Sequence, residues 1–533
     1  MDTSTLDPRV VVGTIILLCA LPWLRRLAAV YYHVYWTKLL KRAPRPESAS
    51  LLEWMCLGHA GVLMKVREHG GVQVLLKRWH EAILSKEDAV SAFVIWLGPL
   101  SPNVILCDAQ NAKHVLKNPK IYVKGFVYDA IRYVVPKGIT NAEGGEWTRL
   151  RKLVTPCFHN RVVENFSGFI FEAAKKRVDA WQTGSEINCH EWLSQLTLSI
   201  IMQVTIGERG MEHEKASSVY TEFGKMMSYT AKCLVSPWRF VFGSRVFMLM
   251  PFPEHFEYKQ RIRTLETVVQ DAVQHRLRNG ANKDENSLIE ILISEYEKAA
   301  NGEYNDFTYK HLSDQLGTFL AAGHDMTASL LSFTFYHILQ PENRGVYDAL
   351  VEEADRVLSE AGAGGFAYED VSRLEYTNAV LKETLRVDSP GPIIARETLA
   401  SNALPNGLGL PSGVSLWIAM YLLHNDPKQW TDVKAFNPGR FLSTAPKVGQ
   451  YLPFSMGNRN CVGQRFAMIE ASILLAYIVY TYDVALVRGQ TMVRETAIVN
   501  RPKNGVHVTL TRRKHGRVAT MPAAASSGQA PPK

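Results

Sequence analysis

Hydrophobic periodicity is the feature that most restricts the fold of this chain of 533 residues. Apolar residues recur at intervals of three and four over long stretches, which is the spacing of one face of an α-helix. The longest of these stretches are 190–208, 258–278, 310–339, 344–360, 371–387 and 463–481. Strand-like runs are shorter and fewer, and they include Phe93–Leu97 with Val104–Cys107, and Val506–Leu510. The pattern predicts a mainly α fold with small β-sheets at its margin.

Composition excludes several classes of protein. Apolar residues make up 47% of the chain, which is enough for a large core, and charged residues make up 21%. The net charge of +9 comes from basic residues that are spread along the chain rather than gathered in one run. We therefore predict no nucleic-acid partner, whereas a basic face for an acidic protein or for anionic lipid fits the same charge.

The seven cysteines do not form a recognisable framework. No two of them are spaced as a CxxC pair, and their number is odd. This pattern argues against a set of disulfides and against a structural zinc site, and it favours a reducing compartment.

An apolar run near the N-terminus predicts a membrane anchor. The run from Val10 to Leu24 carries no charge, but as a helix it would reach only roughly 22 Å of a hydrocarbon core of about 30 Å. A second apolar stretch, Leu27 to Trp36, is rich in aromatic residues and can complete the anchor. A cleaved signal peptide is the alternative, but no Ala-x-Ala site follows the run. Basic residues between Lys38 and Arg45 then predict that the body faces the cytosol.

The segment 236–253 is unusually apolar and is interrupted by prolines. Two interpretations stay open at this point. The segment can be part of the core, or it can cover an apolar channel and dip into the membrane.

The segment PFSMGNRNCVGQRFAM carries the densest chemistry in the chain. Gly457 and Gly463 bracket Cys461, which predicts a tight turn where a flat ligand can approach the backbone. An apolar helix begins immediately afterwards, so its N-terminus and the nearby Arg459 favour a thiolate over a thiol. Phe454 would keep water from the sulfur. A thiolate in such a pocket is a suitable axial ligand for haem iron.

In this segment the chain resembles the cytochrome P-450 family, whose haem-loop pattern FxxGxRxCxG is met at every fixed position. The resemblance covers roughly residues 45 to 513. It implies the cytochrome P-450 fold, with haem b (iron protoporphyrin IX) as cofactor and Cys461 as the metal ligand. It also implies electrons from NADPH through NADPH-cytochrome P-450 reductase, with cytochrome b5 as a candidate second donor.

An ExxR motif at Glu383 and Arg386 places both side chains on one face of a predicted helix. A further arginine, Arg440, follows in the segment FNPGRF. The resemblance implies that these three residues form a structural network in the core on the haem side.

A WxxxR motif at Trp147 and Arg151 has the i, i+4 spacing that directs two donors at one point. The resemblance implies that these two residues, together with Arg396 and Arg459, bind the haem propionates.

A third motif, AAGHDMT, lies in a long predicted helix and ends at Thr327. Gly323 lies in mid-helix, where glycine costs about 1 kcal/mol, so we expect a close approach there. The resemblance implies that dioxygen binds beside Gly323, Asp325 and Thr327, and that an acid–threonine pair delivers protons. Met326, however, stands at the position of the family's threonine, and Thr327 follows about 100° further around the helix.

Three functions stay open. The first is a haem-thiolate monooxygenase that oxidises a lipophilic substrate, whether a sterol, a fatty acid or another lipid, with O₂ and NADPH-derived electrons. The second, motivated by Met326, is an isomerase or dehydratase that rearranges an oxygenated lipid without O₂. The third is a non-catalytic haem sensor.

The predicted organisation is a single-pass anchor with a proline linker over 1–46, a haem-thiolate catalytic domain over 47–514 and a disordered tail over 515–533. The anchor predicts a location in the membrane of the endoplasmic reticulum, with the catalytic domain in the cytosol.

Overall fold

Helices dominate the fold, as predicted. The computed structural model describes residues 41–42, 72–84, 91–97, 102–206, 213–279, 288–302, 307–361, 366–443, 446–496 and 498–514. The helices of the N-terminal half are α1 (Val72–Leu84), α2 (Ala109–Lys117), α3 (Asp129–Val134), α4 (Gly144–Val154), α5 (Asn160–Val178), α6 (Cys189–Ile206), α7 (His213–Val235), α8 (Pro237–Leu249) and α9 (Pro253–Asn279). Those of the C-terminal half are α10 (Leu288–Ala300), α11 (Tyr309–Ile338), α12 (Arg344–Ala361), α13 (Tyr368–Ser372), α14 (Glu375–Val387), α15 (Met420–His424), α16 (Arg440–Ser443) and α17 (Gln464–Thr481).

The strands are short and form small sheets. They are β1 (Lys41–Arg42), β2 (Ala92–Trp96), β3 (Pro102–Leu106), β4 (Tyr122–Val123), β5 (Glu186–Asn188), β6 (Ile393–Thr398), β7 (Asn402–Ala403), β8 (Gly409–Leu410), β9 (Ser415–Ala419), β10 (Tyr482–Leu486), β11 (Arg494–Thr496), β12 (Asn500–Pro502) and β13 (His507–Arg512). The largest sheet has the order β1-β2-β3-β9-β6-β4, and a second has the order β10-β13-β5. The remaining pairs are β11-β12 and β7-β8.

The predicted strand pair near residue 100 is confirmed. β2 and β3 are antiparallel, with Val94 opposite Val104. All five residues of β3 are buried, because the sheet is covered on both faces. The predicted strand at 506–510 is β13, which begins one residue later.

The core is organised around α11, which runs antiparallel to α6. Thr197 of α6 donates to the carbonyl of His324 at 3.0 Å, and His190 lies 2.9 Å from the hydroxyl of Ser332 two turns further on. On the other side of the core, α17 packs against α5 and α12, and most of its residues are buried. This packing explains why α17 is apolar all around rather than amphipathic.

The predicted anchor and tail lie outside the described residues, apart from Lys41 and Arg42. These two residues pair in parallel with Phe93 and Val94 of β2, so a part of the predicted anchor-and-linker segment belongs to the large sheet. Among the helices of the described ranges, none combines the length and the apolar character that crossing a membrane requires.

A buried charge network holds the segment that precedes the cysteine loop. Arg386 donates to both oxygens of Glu383 at 2.8 Å, and neither side chain is exposed. Arg440 lies 3.4 Å from the same carboxylate. Because Arg386 also donates to the carbonyls of Val433 and Ala435, the network ties α14 to the irregular chain ahead of the loop.

We expect Glu383→Gln to destabilise the protein by about 3–5 kcal/mol, because it leaves two arginines without their buried counter-charge. The matched control is Asp179→Asn, which breaks the exposed pair with Arg512 and should cost less than about 1 kcal/mol. Thermal unfolding of the two variants measures the difference. Equal losses of stability would contradict the structural importance of Glu383.

Candidate active site

The loop that carries Cys461 has the tight backbone that its glycines predict. Gly457 has a φ of +73°, and a Cβ atom there would lie 2.7 Å from the carbonyl oxygen of Leu116. The backbone N–H of Cys461 donates to the carbonyl of Phe454 at 2.9 Å. The Phe454 ring packs against the main core. Gly463 then forms the N-cap of α17, so Cys461 lies two residues ahead of this cap.

The Cys461 side chain is accessible but is surrounded by protein atoms. Desolvation by these surrounding atoms raises the pKa of the thiol, whereas the backbone N–H of Gly463 and the charge of Arg151 lower it. Arg151 is therefore one cation that acts on the sulfur, and the sequence analysis did not assign it this role. The Arg459 side chain donates to the carbonyl of Ala142 at 2.6 Å, and its effect on the thiolate stays a prediction.

The two residues of the WxxxR motif both reach the cysteine loop from α4. Arg151 donates to the backbone and side-chain oxygens of Asn460, each at 2.8 Å. The Trp147 ring lies under the guanidinium of Arg459, with 4.2 Å from its centroid to Cζ. The motif thus braces the residues that flank Cys461 on its N-terminal side.

Three cations gather beside this brace. Arg396 is buried and donates to the hydroxyl of Tyr128 at 3.3 Å. Burial, together with the charges of Arg396 and Arg459, lowers the pKa of Lys124 to about 7. Glu143 offsets part of this positive charge, since it pairs with Arg459 and accepts from the backbone N–H of Lys124. A cluster of this kind is suited to bind an anion.

Strand pairing brings Lys124 to this cluster. Val123 of β4 lies opposite Glu397 of β6, so the next position along the antiparallel pair places Lys124 beside Arg396. Gly125 is required just beyond, because a Cβ atom there would lie 2.9 Å from the Glu397 side chain.

The donor set fits a haem. Cys461 offers a sulfur ligand for the iron, and a haem carries two propionate carboxylates that need cationic partners. Arg396, Arg459 and Lys124 supply three such cations within one cluster. A propionate would also relieve the mutual repulsion that, after burial, contributes to the lowered pKa of Lys124.

The close approach expected at Gly323 comes from a neighbouring helix. A Cβ atom at this position would lie 2.6 Å from Cγ1 of Ile201 in α6. The glycine is therefore needed for the packing of α6 against α11, and a dioxygen site beside it stays a prediction.

The three residues that follow His324 point in different directions. Met326 is 38% exposed, whereas Asp325 and Thr327 are buried. Asp325 lies near His190, whose pKa burial lowers to about 4 against the opposing effect of that carboxylate. Thr327 donates to the carbonyl of Gly323 at 3.0 Å. Thr327 does not share the face of Met326, as the helical geometry predicts.

Glu470 of α17 lies close to Thr327 in the core. Its side chain is fully buried, and within the described part of the chain no well-oriented hydrogen-bond partner meets either carboxyl oxygen. Burial raises the pKa of Glu470 to about 8, and only the Thr327 hydroxyl opposes this shift. The carboxyl group is therefore protonated at neutral pH.

Sequence reasoning missed Lys124, Tyr128, Glu143 and Glu470. Nothing in the local sequence marks Lys124, since its importance comes from a strand partner more than 270 residues away. Glu470 did leave a signal, because it is the one acid in the apolar helix QRFAMIEASILLAYIVYT. An ionisable residue in a buried helix is a candidate for a functional role.

Comparison with known proteins agrees with this geometry. The family model for cytochrome P-450 matches residues 79–508. Mouse cytochrome P-450 4X1 is 28% identical over 441 residues, which cover 79% of this chain and 84% of the relative. Human cytochrome P-450 4V2 is 26% identical over 445 residues, which cover 79% and 82%. A probable cytochrome P-450 4e1 of Drosophila melanogaster is 26% identical over 419 residues, or 76% of each chain.

We expect Glu470 to make stability depend on pH. Its folded pKa of about 8 lies above the ordinary value of 4.5, so the folded protein holds one more proton between these values. The contribution of Glu470 to the free energy of unfolding is therefore most favourable below pH 4.5. This contribution is lost as the pH rises toward 8.

Glu470→Gln should remove this loss and stabilise the protein near pH 8, by about 1.4 kcal/mol for each pH step of one between 4.5 and 8. Thermal unfolding across this pH range measures the effect. The exposed Glu172 of α5 provides the control, since Glu172→Gln should leave the pH dependence unchanged. An unchanged profile in Glu470→Gln would contradict the protonated state.

Proposed function

Since this chain belongs to the cytochrome P-450 family of oxidoreductases, we propose that it is a haem-thiolate monooxygenase that oxidises a lipophilic substrate. The observation that carries the proposal is the joint presence of Cys461 on a glycine-bracketed loop and of three cations beside it. Cys461 would ligate the iron, and Arg396, Arg459 and Lys124 would bind the propionates. When bound, a thiolate-ligated haem supplies the chemistry of dioxygen activation.

The protein's own task is to orient the substrate and to deliver protons. Met326 lies on the exposed face of α11 but cannot donate a proton, because a thioether is only a weak acceptor. Asp325 is the acid nearest to this position in the chain. We propose that Asp325 relays protons through ordered water, with the Thr327 hydroxyl as the second polar group of the relay.

Met326 also favours one alternative. An isomerase or dehydratase that rearranges an oxygenated lipid needs no proton delivery to dioxygen, so it can tolerate a thioether at this position. Dependence of turnover on NADPH separates this reaction from monooxygenation.

An exposed apolar surface supports a lipid substrate and a membrane location. Trp238 and Leu249 of α8 are 53% and 78% exposed, and Phe256 at the start of α9 is 63% exposed. Phe247 and Met248 of the same segment are buried, so α8 both closes a core and presents apolar side chains outward. Such a surface is suited to contact the hydrocarbon region of a bilayer.

We infer that the protein faces the cytosol from the membrane of the endoplasmic reticulum. It would take electrons there from NADPH-cytochrome P-450 reductase, with cytochrome b5 as a second candidate donor. The net charge of +9 supports an acidic redox partner. The sterol, fatty acid or other lipid that it oxidises would enter from the bilayer.

Cys461→Ala tests the haem ligand. The reduced, carbon monoxide-bound protein should show the red-shifted Soret band of a thiolate-ligated haem, and the variant should lose it. The matched control is Cys157→Ala, because Cys157 is buried and burial raises the pKa of its thiol to about 12. A normal band in Cys461→Ala would overturn the assignment.

Asp325→Asn tests the proton relay in the reconstituted enzyme with reductase and NADPH. We expect product formation to fall by about 10²-fold, the usual contribution of a positioned acid, while NADPH is consumed and peroxide rises. Met326→Thr should lower peroxide release. An unchanged product rate in Asp325→Asn would exclude the relay, and turnover of the wild-type protein without NADPH would favour the isomerase.

A further inference from the structure

An apolar cavity lies on the side of α11 away from Met326. It has a volume of about 60 Å³ and is enclosed by α6, α7, α9 and α11 together with the chain at 134–135. Its walls are almost entirely apolar, and they include Leu198, Met202, Phe223, Met226, Leu265 and Leu320. Since one water molecule requires about 10–15 Å³ of such space, the cavity can hold roughly four to six water-sized atoms.

The helical geometry separates this cavity from the candidate active site. Asp314, Gly317 and Ala321 line the cavity and recur at intervals of three and four, so they share one face of α11. Met326 follows Gly317 by nine residues, or about two and a half turns, which places it on the opposite face. A ligand in the cavity would therefore contact the rear of the helix that carries the proposed proton relay.

An acidic rim closes the cavity toward solvent. The ammonium group of Lys310 lies 2.6 Å from Glu266 and 2.8 Å from Asp314, and both acids line the cavity. Asp314 also accepts the backbone N–H of Lys137 at 2.7 Å. Two carboxylates and one ammonium give the rim a net negative charge.

The rim can open without disturbing the core. The Lys310 and Glu266 side chains are 41% and 31% exposed, and ion pairs at such positions contribute little to stability. Asp314, in contrast, is only 2% exposed and is fixed by Lys137. Movement of Lys310 alone would uncover carboxylate oxygens that accept hydrogen bonds.

We propose that this cavity is a second ligand site that takes an uncharged amphiphile with a short alkyl chain and a hydroxyl group. The chain lies against the apolar walls, where burial removes it from water. The hydroxyl donates to Glu266 or Asp314 at the rim. A carboxylate in the same place can only accept hydrogen bonds and meets a rim of like charge. The site therefore selects alcohols over the corresponding acids, whatever reaction takes place on the other face of α11.

Fluorine NMR with 2,2,2-trifluoroethanol, an alcohol small enough for this cavity, tests the site in the full-length holoenzyme. Imidazole is added to saturation first, so that the probe cannot report binding at the iron. We expect saturable binding of the alcohol and, because like charges repel, at least about tenfold weaker binding of the matching acid anion, trifluoroacetate. Absence of saturable alcohol binding, or equal binding of the two probes, would overturn the proposal.

Two neighbouring alanines provide matched variants. Ala321→Leu fills the cavity from α11 and should abolish alcohol binding, whereas Ala322→Leu adds the same group at an exposed position and should leave it intact. Leu265→Phe fills the cavity from α9 and replaces Ala321→Leu if that variant does not fold. Glu266→Gln removes one negative charge from the rim, so it should reduce the difference in affinity between the alcohol and the acid anion. Loss of binding in Ala322→Leu with retention in both cavity-filling variants would place the probe elsewhere and refute the site.

Discussion

The carboxylate of Glu383 is the group on which the candidate active site depends. It is buried without any exposed surface, and it holds Arg386 and Arg440 at the same time. The backbone N–H of Asn437 donates to it as well, at 2.9 Å. A buried charge of this kind is costly unless every partner is in place, so it forces the chain ahead of the cysteine loop into one arrangement. The network thereby fixes the segment 433–440, which precedes the cysteine loop.

A second set of charges lies on the other side of the loop and is mainly positive. Burial, together with the charges of Arg396 and Arg459, lowers the pKa of Lys124, and Glu143 offsets part of the positive charge. The partners of Glu383 named here all belong to the protein, whereas the second cluster is suited to an added anion. The two sets differ in this respect, although both combine cations with a glutamate.

α11 contributes to each of the remaining features, because its different faces contact different parts of the protein. One face carries the exposed Met326, another accepts Ile201 at Gly323, and a third lines the apolar cavity through Gly317 and Ala321. Small residues are needed wherever α6 or a cavity wall comes close to the helix. Thr327 and Glu470 add a buried polar contact to α17, where a protonated carboxyl can be accommodated without a counter-charge.

The sequence by itself determined the mainly helical class, the strand pair β2–β3, the loop of Cys461 and the pairing of Glu383 with Arg386. These features depend on short-range patterns: helical periodicity, strand alternation, glycines at a turn and an i, i+3 spacing. Only the tertiary structure decided that Lys124 joins Arg396, that Arg151 acts on Cys461, and that Ile201 explains Gly323. Each of these contacts joins residues far apart in the chain, and strand register, helix rotation and side-chain direction select the partner. Local sequence does not predict these contacts, because each of the residues could pair with several partners until the core is packed.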